Sequence, residues 1–306
     1  MIEGKRWGII YNPKAGTRKV QKRWKEIRQY LRLRNVAFDY VQSESFNSIE
    51  RLSCMLANNG YQTIVIVGGD GALNDAINGI MNSKADKDKI SLGVIPNGIG
   101  NDFAAYWGIE SDDYKKAIDY ILMGRVRKVD VGTCNCNIKG KSVVRYFLNS
   151  VHIGLGARVV GISNSTYRFW GIQTISFWIS LILLMFERKL YRTHLKINGE
   201  HIREYVMTVC IGNSVGYGLT PSAVPYNGWL DVSILSRPRF MQLFSEVRLL
   251  LQGRILNSKS LKLYRTKQIM VLRAQNAHVC LDGRLLDYEG TLRIGIVPEA
   301  INFIIP

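Results

Sequence analysis

Short apolar runs alternate with amphipathic stretches through the first 125 residues. Trp7 to Tyr11 reads as a buried strand, closed by the turn-forming sequence Asn12-Pro13-Lys14-Ala15-Gly16. From about Lys19 to Arg34, Val20, Trp24, Ile27 and Leu31 recur at helical spacing, giving an otherwise basic helix one apolar face. Ala37 to Gln42 predicts a second strand, and Ile49 to Asn58 a second helix that stops at Asn59-Gly60. The strand around Ile64, a helix from about Leu73 to Met81, the strand Ser91 to Ile95, a short helix from Asn101 and a helix over Tyr114 to Met123 complete the series. Repeated β–α units predict an α/β domain over residues 1–128, built on a doubly wound, mostly parallel sheet.

Beyond about Lys128 the pattern becomes short apolar runs separated by turn signals: 129–132, 146–153, 194–197, 206–211, 230–235, 268–272, 278–281 and 292–297. Asn198-Gly199 and Asp282-Gly283 mark hairpins. The expectation is an antiparallel, β-sandwich-like domain over 129–297, interrupted by helical patches at 169–186 and 239–252. The terminal strand, about 298–306, is a candidate to return to the first domain. The 17-residue run 170–186 is apolar but contains Gln173, Thr174, Ser176 and Ser180. It falls short of the about 20 apolar residues a spanning helix wants, which favours a core helix or one whose exposed face touches lipid.

An apolar share of 47% suits a globular chain of 306 residues, whereas 41 basic against 24 acidic residues, a net +17, points to an anionic partner. Eleven of the basic residues fall in the first 34 positions. No aromatic–basic module of the RNA-binding kind accompanies them, so nucleic acid is not the expected partner. The five cysteines are scattered, and Cys134-x-Cys136 alone is a poor zinc site; reduced core thiols fit the cytoplasm. The four histidines show no metal-binding spacing, and the first residues show an opening strand where a signal peptide would have an apolar core.

The chemistry concentrates in loops. In "TIVIVGGDGALNDAINGI" (63–80) a buried strand runs into Gly68-Gly69-Asp70-Gly71 and at once into a helical pattern. Bare amides at a helix start form an anion site, and glycine lets a phosphate approach. Asp70 would repel phosphate unless a cation intervened, so Mg²⁺ is implied. "LGVIPNGIGNDFA" (92–104) repeats the arrangement, with Asn101 and Asp102 as cap and ligand candidates. "YNPKAG" (11–16) makes a third loop, with Lys14 as a counter-charge. Neither glycine loop has the spacing of a Walker A or dinucleotide fingerprint. After parallel strands, all would open on the carboxyl edge of the sheet.

These loops resemble those of the diacylglycerol kinase catalytic-domain family in its small bacterial lipid-kinase form. The family pattern N-P-x-x-G, G-G-D-G-T-x-N-E, P-x-G-T-G-N-D-F-A and D-G-E appears as "NPKAG" (12–16), "GGDGALND" (68–75), "PNGIGNDFA" (96–104) and "LDGRLL" (281–286). NAD kinases share the second loop but not the third. The resemblance implies two domains with ATP between them and transfer of its γ-phosphate to a lipid hydroxyl. It carries nucleotide contacts onto Asn12, Pro13, Lys14, Ala15 and Gly16, onto Ser43 in place of a threonine, and onto Gly68, Gly69, Asp70, Gly71, Ala72, Leu73 and Asn74. Gly98, Ile99, Asn101 and Asp102 join them from the 96–104 loop. Asp70 would manage the magnesium, and Asn227 stands at an aspartate position of a metal site in the β domain.

Four departures accompany the match: Ala72 and Ile99 replace threonines, Asn227 replaces aspartate, and Arg284 replaces the glutamate expected to accept the lipid proton. A guanidinium accepts no proton at neutral pH. Asp282 is then the candidate base, with Asp287 and Glu289 nearby; Arg284 is a γ-phosphate or headgroup contact, or an ordinary hairpin-tip residue. The expectation is a lipid kinase using Mg-ATP, cytoplasmic and peripheral on the inner membrane face, with basic residues including Arg23 and Arg28 leaning on anionic lipid. The alternative is a weak or inactive nucleotide- or lipid-binding relative. Diacylglycerol, phosphatidylglycerol, a sphingoid base and an undecaprenyl-like alcohol all remain open, as do the nucleotide's identity and the oligomeric state.

Overall fold

Strand β1 (Trp7–Tyr11) is buried at every position in the computed structural model, which describes residues 6–11, 18–44, 48–98, 101–159, 189–215, 218–236 and 240–306. It pairs in parallel with β2 (Phe38–Gln42) on one side and β3 (Thr63–Gly68) on the other; β3 pairs in parallel with β4 (Ser91–Pro96). Helices α1 (Arg18–Leu33), α2 (Ser48–Asn58) and α3 (Asp70–Met81) make the crossovers, and α4 (Asp102–Tyr106) and α5 (Tyr114–Met123) follow β4. The order β4–β3–β1–β2 means that β1→β2 runs one way along the sheet and β2→β3→β4 the other, which sends α1 to one face and α2 and α3 to the opposite one. Accordingly α2 packs with α3, and α1 with α5. Ile64 to Val67 have no exposed surface, as a strand covered on both faces requires.

The chain divides into two compact units, Met1–Asp130 with Pro298–Pro306, and Val131–Val297. The second unit is antiparallel. Strands β5 (Val126–Ile138) and β6 (Lys141–Phe147) form a hairpin. Strand β7 (Ser150–Gly154) and β8 (Tyr191–Ile197) flank β9 (Glu200–Gly212), which also pairs with β10 (Leu230–Ser236). Helix α6 (Phe240–Leu251) precedes β11 (Leu261–Thr266), which pairs with β10, and β12 (Gln268–Ala274), which pairs with β8. The hairpin of β13 (Val279–Leu281) and β14 (Arg284–Leu286) lies on β7. Strand β15 (Glu289–Ile304) pairs with β12 near its start and, in parallel, with β4 through Asn302 and Phe303. The architecture is thus an α/β unit with a parallel sheet and an antiparallel β unit.

Three elements differ from the sequence pattern. Helix α3 begins at Asp70 instead of near Leu73, because Gly69 supplies the extended N-cap and an acidic first turn suits the helix end. The expected strand 146–153 is two strands, broken at Leu148-Asn149, whose amides turn to a carboxylate described below. Strand β15 is one long element because its two ends serve different sheets partners. Among the described residues no helix is long and apolar enough to cross a membrane; the 170–186 run lies outside them.

The basic face of α1 is less uniform than its sequence suggests. Arg23 donates to the Ser111 carbonyl at 3.0 Å and to Asp112 at 3.2 Å, and only 13% of its side chain is exposed. It closes α1 onto the loop before α5.

Candidate functional site

The site is built from the carboxyl ends of β3 and β4. Beyond β3, Gly69 is extended (φ −105°, ψ −169°) and caps α3 with no side-chain hydrogen bond. Beyond β4, the Asn97 amide donates to the Gly68 carbonyl at 3.0 Å, drawing the second loop onto the first. A Cβ at Gly98 would sit 2.3 Å from Gly69 Cα and 2.6 Å from its nitrogen. Only glycine permits this backbone-to-backbone approach.

Asp70 is buried. Its Oδ2 accepts the Asp102 amide at 2.8 Å and its Oδ1 the Phe103 amide at 3.1 Å, so the acid of the first loop caps the helix of the second. Asn101 clasps its own loop: its Oδ1 accepts from Gly98 N at 3.3 Å, and its Nδ2 donates to Gly98 O at 3.1 Å and Ser111 Oγ at 3.0 Å. Asp102 contributes its amide to this link, and Asn74 is buried within α3, its carbonyl accepting from Asn78 at 2.8 Å.

Ala72 and Leu73 do not have the expected form of ligand residues. Both side chains are buried, and both amides donate to the Gly69 carbonyl at 3.0 Å. A Cβ at Gly68 would meet the Ala72 Cβ at 2.7 Å, so position 72 is wedged against the strand end. Asn12, Pro13, Lys14, Ala15, Gly16 and Ile99 lie outside the described residues.

Among the described residues, two polar side chains flank the loops without hydrogen-bond partners. Ser43 follows β2, its amide bonded to the Tyr11 carbonyl at 2.9 Å, and its buried Oγ has no partner. Asn97 is 2% exposed, and neither its Oδ1 nor its Nδ2 has a partner. Burying an amide unpaired costs about 1–3 kcal/mol, so the pair marks a place that a polar ligand or water would satisfy. Across the strand order they stand three strand spacings apart, about 14 Å, the span of an extended nucleotide. Asn97 is not among the expected contacts; the signal available is a carboxamide directly after the apolar run Leu92–Pro96.

In the second unit Asp282 is 2% exposed and has φ +43°. Its carboxylate accepts three main-chain N–H groups: Leu148 at 2.6 Å, Asn149 at 2.9 Å and Ser150 at 2.8 Å. Its oxygens thus bind the turn between β6 and β7. Arg284 is half-buried opposite Leu281 in the β13–β14 hairpin, and Asp287 and Glu289 are exposed. Exposed Asn227 accepts the Trp229 amide at 2.9 Å within its own turn. Asp231 binds Arg265 (Nε–Oδ1 2.8 Å) and Ser222 (2.7 Å), so a guanidinium already supplies the positive charge. This donor set does not suit a divalent cation, and no cluster of three metal-binding side chains occurs among the described residues.

A parallel α/β unit carrying paired glycine loops, with an antiparallel β unit, is the two-domain fold seen in diacylglycerol kinase and NADH kinase structures. Two family models match: the diacylglycerol kinase catalytic domain over residues 6–134, and the YegS C-terminal NAD kinase beta sandwich-like domain over 149–305. The chain belongs to this two-domain lipid kinase family. It is 24% identical over 294 residues to the diacylglycerol kinase of Bacillus subtilis (strain 168), covering 94% of this chain and 91% of that protein. It is also 24% identical, over 87% of this chain and 83% of that one, to a Shewanella frigidimarina protein named "Probable lipid kinase YegS-like". A crystal structure of a diacylglycerol kinase from Bacillus anthracis superposes with a TM-score of 0.72 at 16% identity, over 100% of this chain and 98% of the other; this likeness concerns the fold.

Proposed function

We propose that the protein transfers the γ-phosphate of ATP, taken up as its magnesium complex, to a hydroxyl of diacylglycerol or a similar membrane lipid. One observation carries the reading: two glycine loops locked in main-chain contact at the carboxyl ends of parallel strands, flanked by the unpartnered Ser43 hydroxyl and Asn97 carboxamide. Bare amides beside the α3 N-terminus suit the polyphosphate, and the two side chains offer donors and acceptors to the rest of the nucleotide. Asp70 serves by fixing the loops against each other, and the cation arrives with the substrate. A lipid acceptor requires access to a membrane surface, toward which a net charge of +17 is favourable.

The Asp282 geometry favours a second reading in which turnover is slow. With Asp282 committed to three amides and Arg284 in place of glutamate, the acceptor hydroxyl lacks an evident base. General bases typically supply about 10²–10⁴-fold. Phosphoryl transfer rests mainly on positioning and charge neutralisation, so that loss slows the reaction without abolishing it. The test is transfer of label from γ-labelled ATP to a panel of lipid alcohols in mixed micelles, with and without Mg²⁺. Labelled product requiring both Mg²⁺ and one lipid class supports the kinase reading. No product from the native chain, with product from Arg284→Glu, leaves only the binding role.

A further inference from the structure

A groove of about 500 Å³ opens at the opposite edge of the same sheet. Arg6 immediately precedes β1, Phe38 and Asp39 begin β2, and Arg32 lies in the last turn of α1, so the groove sits at the amino ends of the strands. The glycine loops follow the carboxyl ends.

Three guanidinium groups line the groove, but one is already neutralised. Arg6 Nη1 grips Asp39 at 2.9 and 3.1 Å, and the Tyr61 hydroxyl donates to the same carboxylate at 2.6 Å. The Tyr61 hydrogen bond, and after it Arg6, hold Asp39 below the usual carboxylate range, so that pair stays closed. Arg28 and Arg32, one turn apart on α1, face the groove with no ion-pair partner among the described residues. Like charges at this spacing repel.

Arg28 is held in place. Its guanidinium carbon lies 4.8 Å from the centre of the Tyr40 ring, its Nε is buried without a partner, and Tyr40 in turn packs edge-on to Trp24 at 5.3 Å. Trp24 stacks on Tyr11 at 4.7 Å. A guanidinium stacked on an aromatic ring is pre-organised and loses little freedom on binding an anion. Phe38 and Tyr40 supply an aromatic wall beside it, and the groove has the size of small-molecule sites, about 300–1,000 Å³. Two unpaired forks beside an aromatic wall match a dianionic phosphoryl group carrying a small organic body.

We infer that this groove is a second anion site, binding a phosphate monoester through Arg28 and Arg32, distinct from the nucleotide loops. The same chemistry is presented by a soluble monoester and by a phosphatidate headgroup. The probes are therefore glycerol 3-phosphate in titration calorimetry, and sedimentation with phosphatidylcholine vesicles with or without phosphatidate, all at constant ionic strength. Native protein is compared with Arg28→Gln/Arg32→Gln, with the milder Arg28→Lys, and with Arg51→Gln/Lys84→Gln as a charge-matched control on the same unit; melting curves confirm that each is folded.

Removing two charge-assisted contacts should weaken binding of the responsive probe by at least about tenfold. Arg28→Lys should fall between, and the control should match the native protein. Loss confined to glycerol 3-phosphate identifies a soluble ligand, and loss confined to phosphatidate vesicles identifies the lipid. Unchanged binding of both probes by the double glutamine variant, an equal loss in the control, or no binding by native protein overturns the proposal.

Discussion

Asp70 and Asp102 are joined by a 2.8 Å hydrogen bond from the Asp102 amide to the Asp70 carboxylate, linking the helices that follow two successive strands. The link gives the loop acid a mechanical task that a phosphate-site motif does not by itself reveal. Asp70→Ala should remove the acceptors for two amides and lower stability by about 2–4 kcal/mol, at roughly 1–3 kcal/mol per buried unsatisfied donor. Asp70→Asn, keeping one acceptor, should cost about half as much. Urea denaturation checks both, and nucleotide affinity should fall in step with stability if the residue acts by holding the loops.

Gly98→Ala forces a methyl group to within 2.3 Å of Gly69 Cα, and neither backbone can yield alone. Overpacking of this kind costs about 1–3 kcal/mol. Separating the loops should weaken ATP uptake by tenfold or more in calorimetry while α-helical content stays unchanged.

Asn97→Leu should move stability and binding in opposite directions. Replacing an unpartnered buried amide with an apolar side chain of similar size should raise unfolding stability by about 1 kcal/mol or more. The same change removes a donor and an acceptor from the nucleotide site, so affinity should fall. A stabilised variant with native affinity would show that Asn97 makes no ligand contact.

Asp282→Asn should behave as a folding lesion. Three amides point at one carboxylate, and hydrogen bonds to charged groups contribute about 1.5–3 kcal/mol each. A loss of about 2 kcal/mol or more is expected in chemical denaturation, with activity per folded molecule close to native. A stable Asp282→Asn protein with abolished transfer would restore the residue as the base.

His152 predicts acid sensitivity. Complete burial lowers its pKa from 6.5 to about 4. Ser150 Oγ lies 2.9 Å from its Nε2 and Cys210 Sγ 3.8 Å away, and burial pushes the Cys210 thiol up to about 12, so no neighbouring charge compensates. The unfolded chain therefore binds a proton that the folded chain refuses. Stability should fall by on the order of 3 kcal/mol as pH drops from 6.5 to about 4, then level off. In His152→Gln, denaturation across this window should lose that slope.

Local pattern was enough for the parallel sheet and its loops. The Ile64 to Val67 run, the glycines after it, and the amphipathic spacing of Trp24, Ile27 and Leu31 all concern residues close in sequence. What escaped was long-range pairing. Asp282 reads as a base because its real partners, the amides of Leu148 to Ser150, are far upstream. The ion pair of Asp231 with Arg265 joins neighbouring strands 34 residues apart, so nothing local announces it. Asn97 passed as a variable position because an unpaired amide is visible only when burial is known. The start of α3 slipped because a glycine-rich segment gives no propensity signal for a helix that capping nevertheless sustains.

The end of β15 beside β4 bears on how the molecule is made. Phe303 is fully buried and packs edge-on against Phe103 at 4.9 Å, yet the entire second unit is translated between those two aromatics. During synthesis the nascent α/β unit must wait with this seam open, its apolar flank exposed to chaperones, until Phe303 emerges.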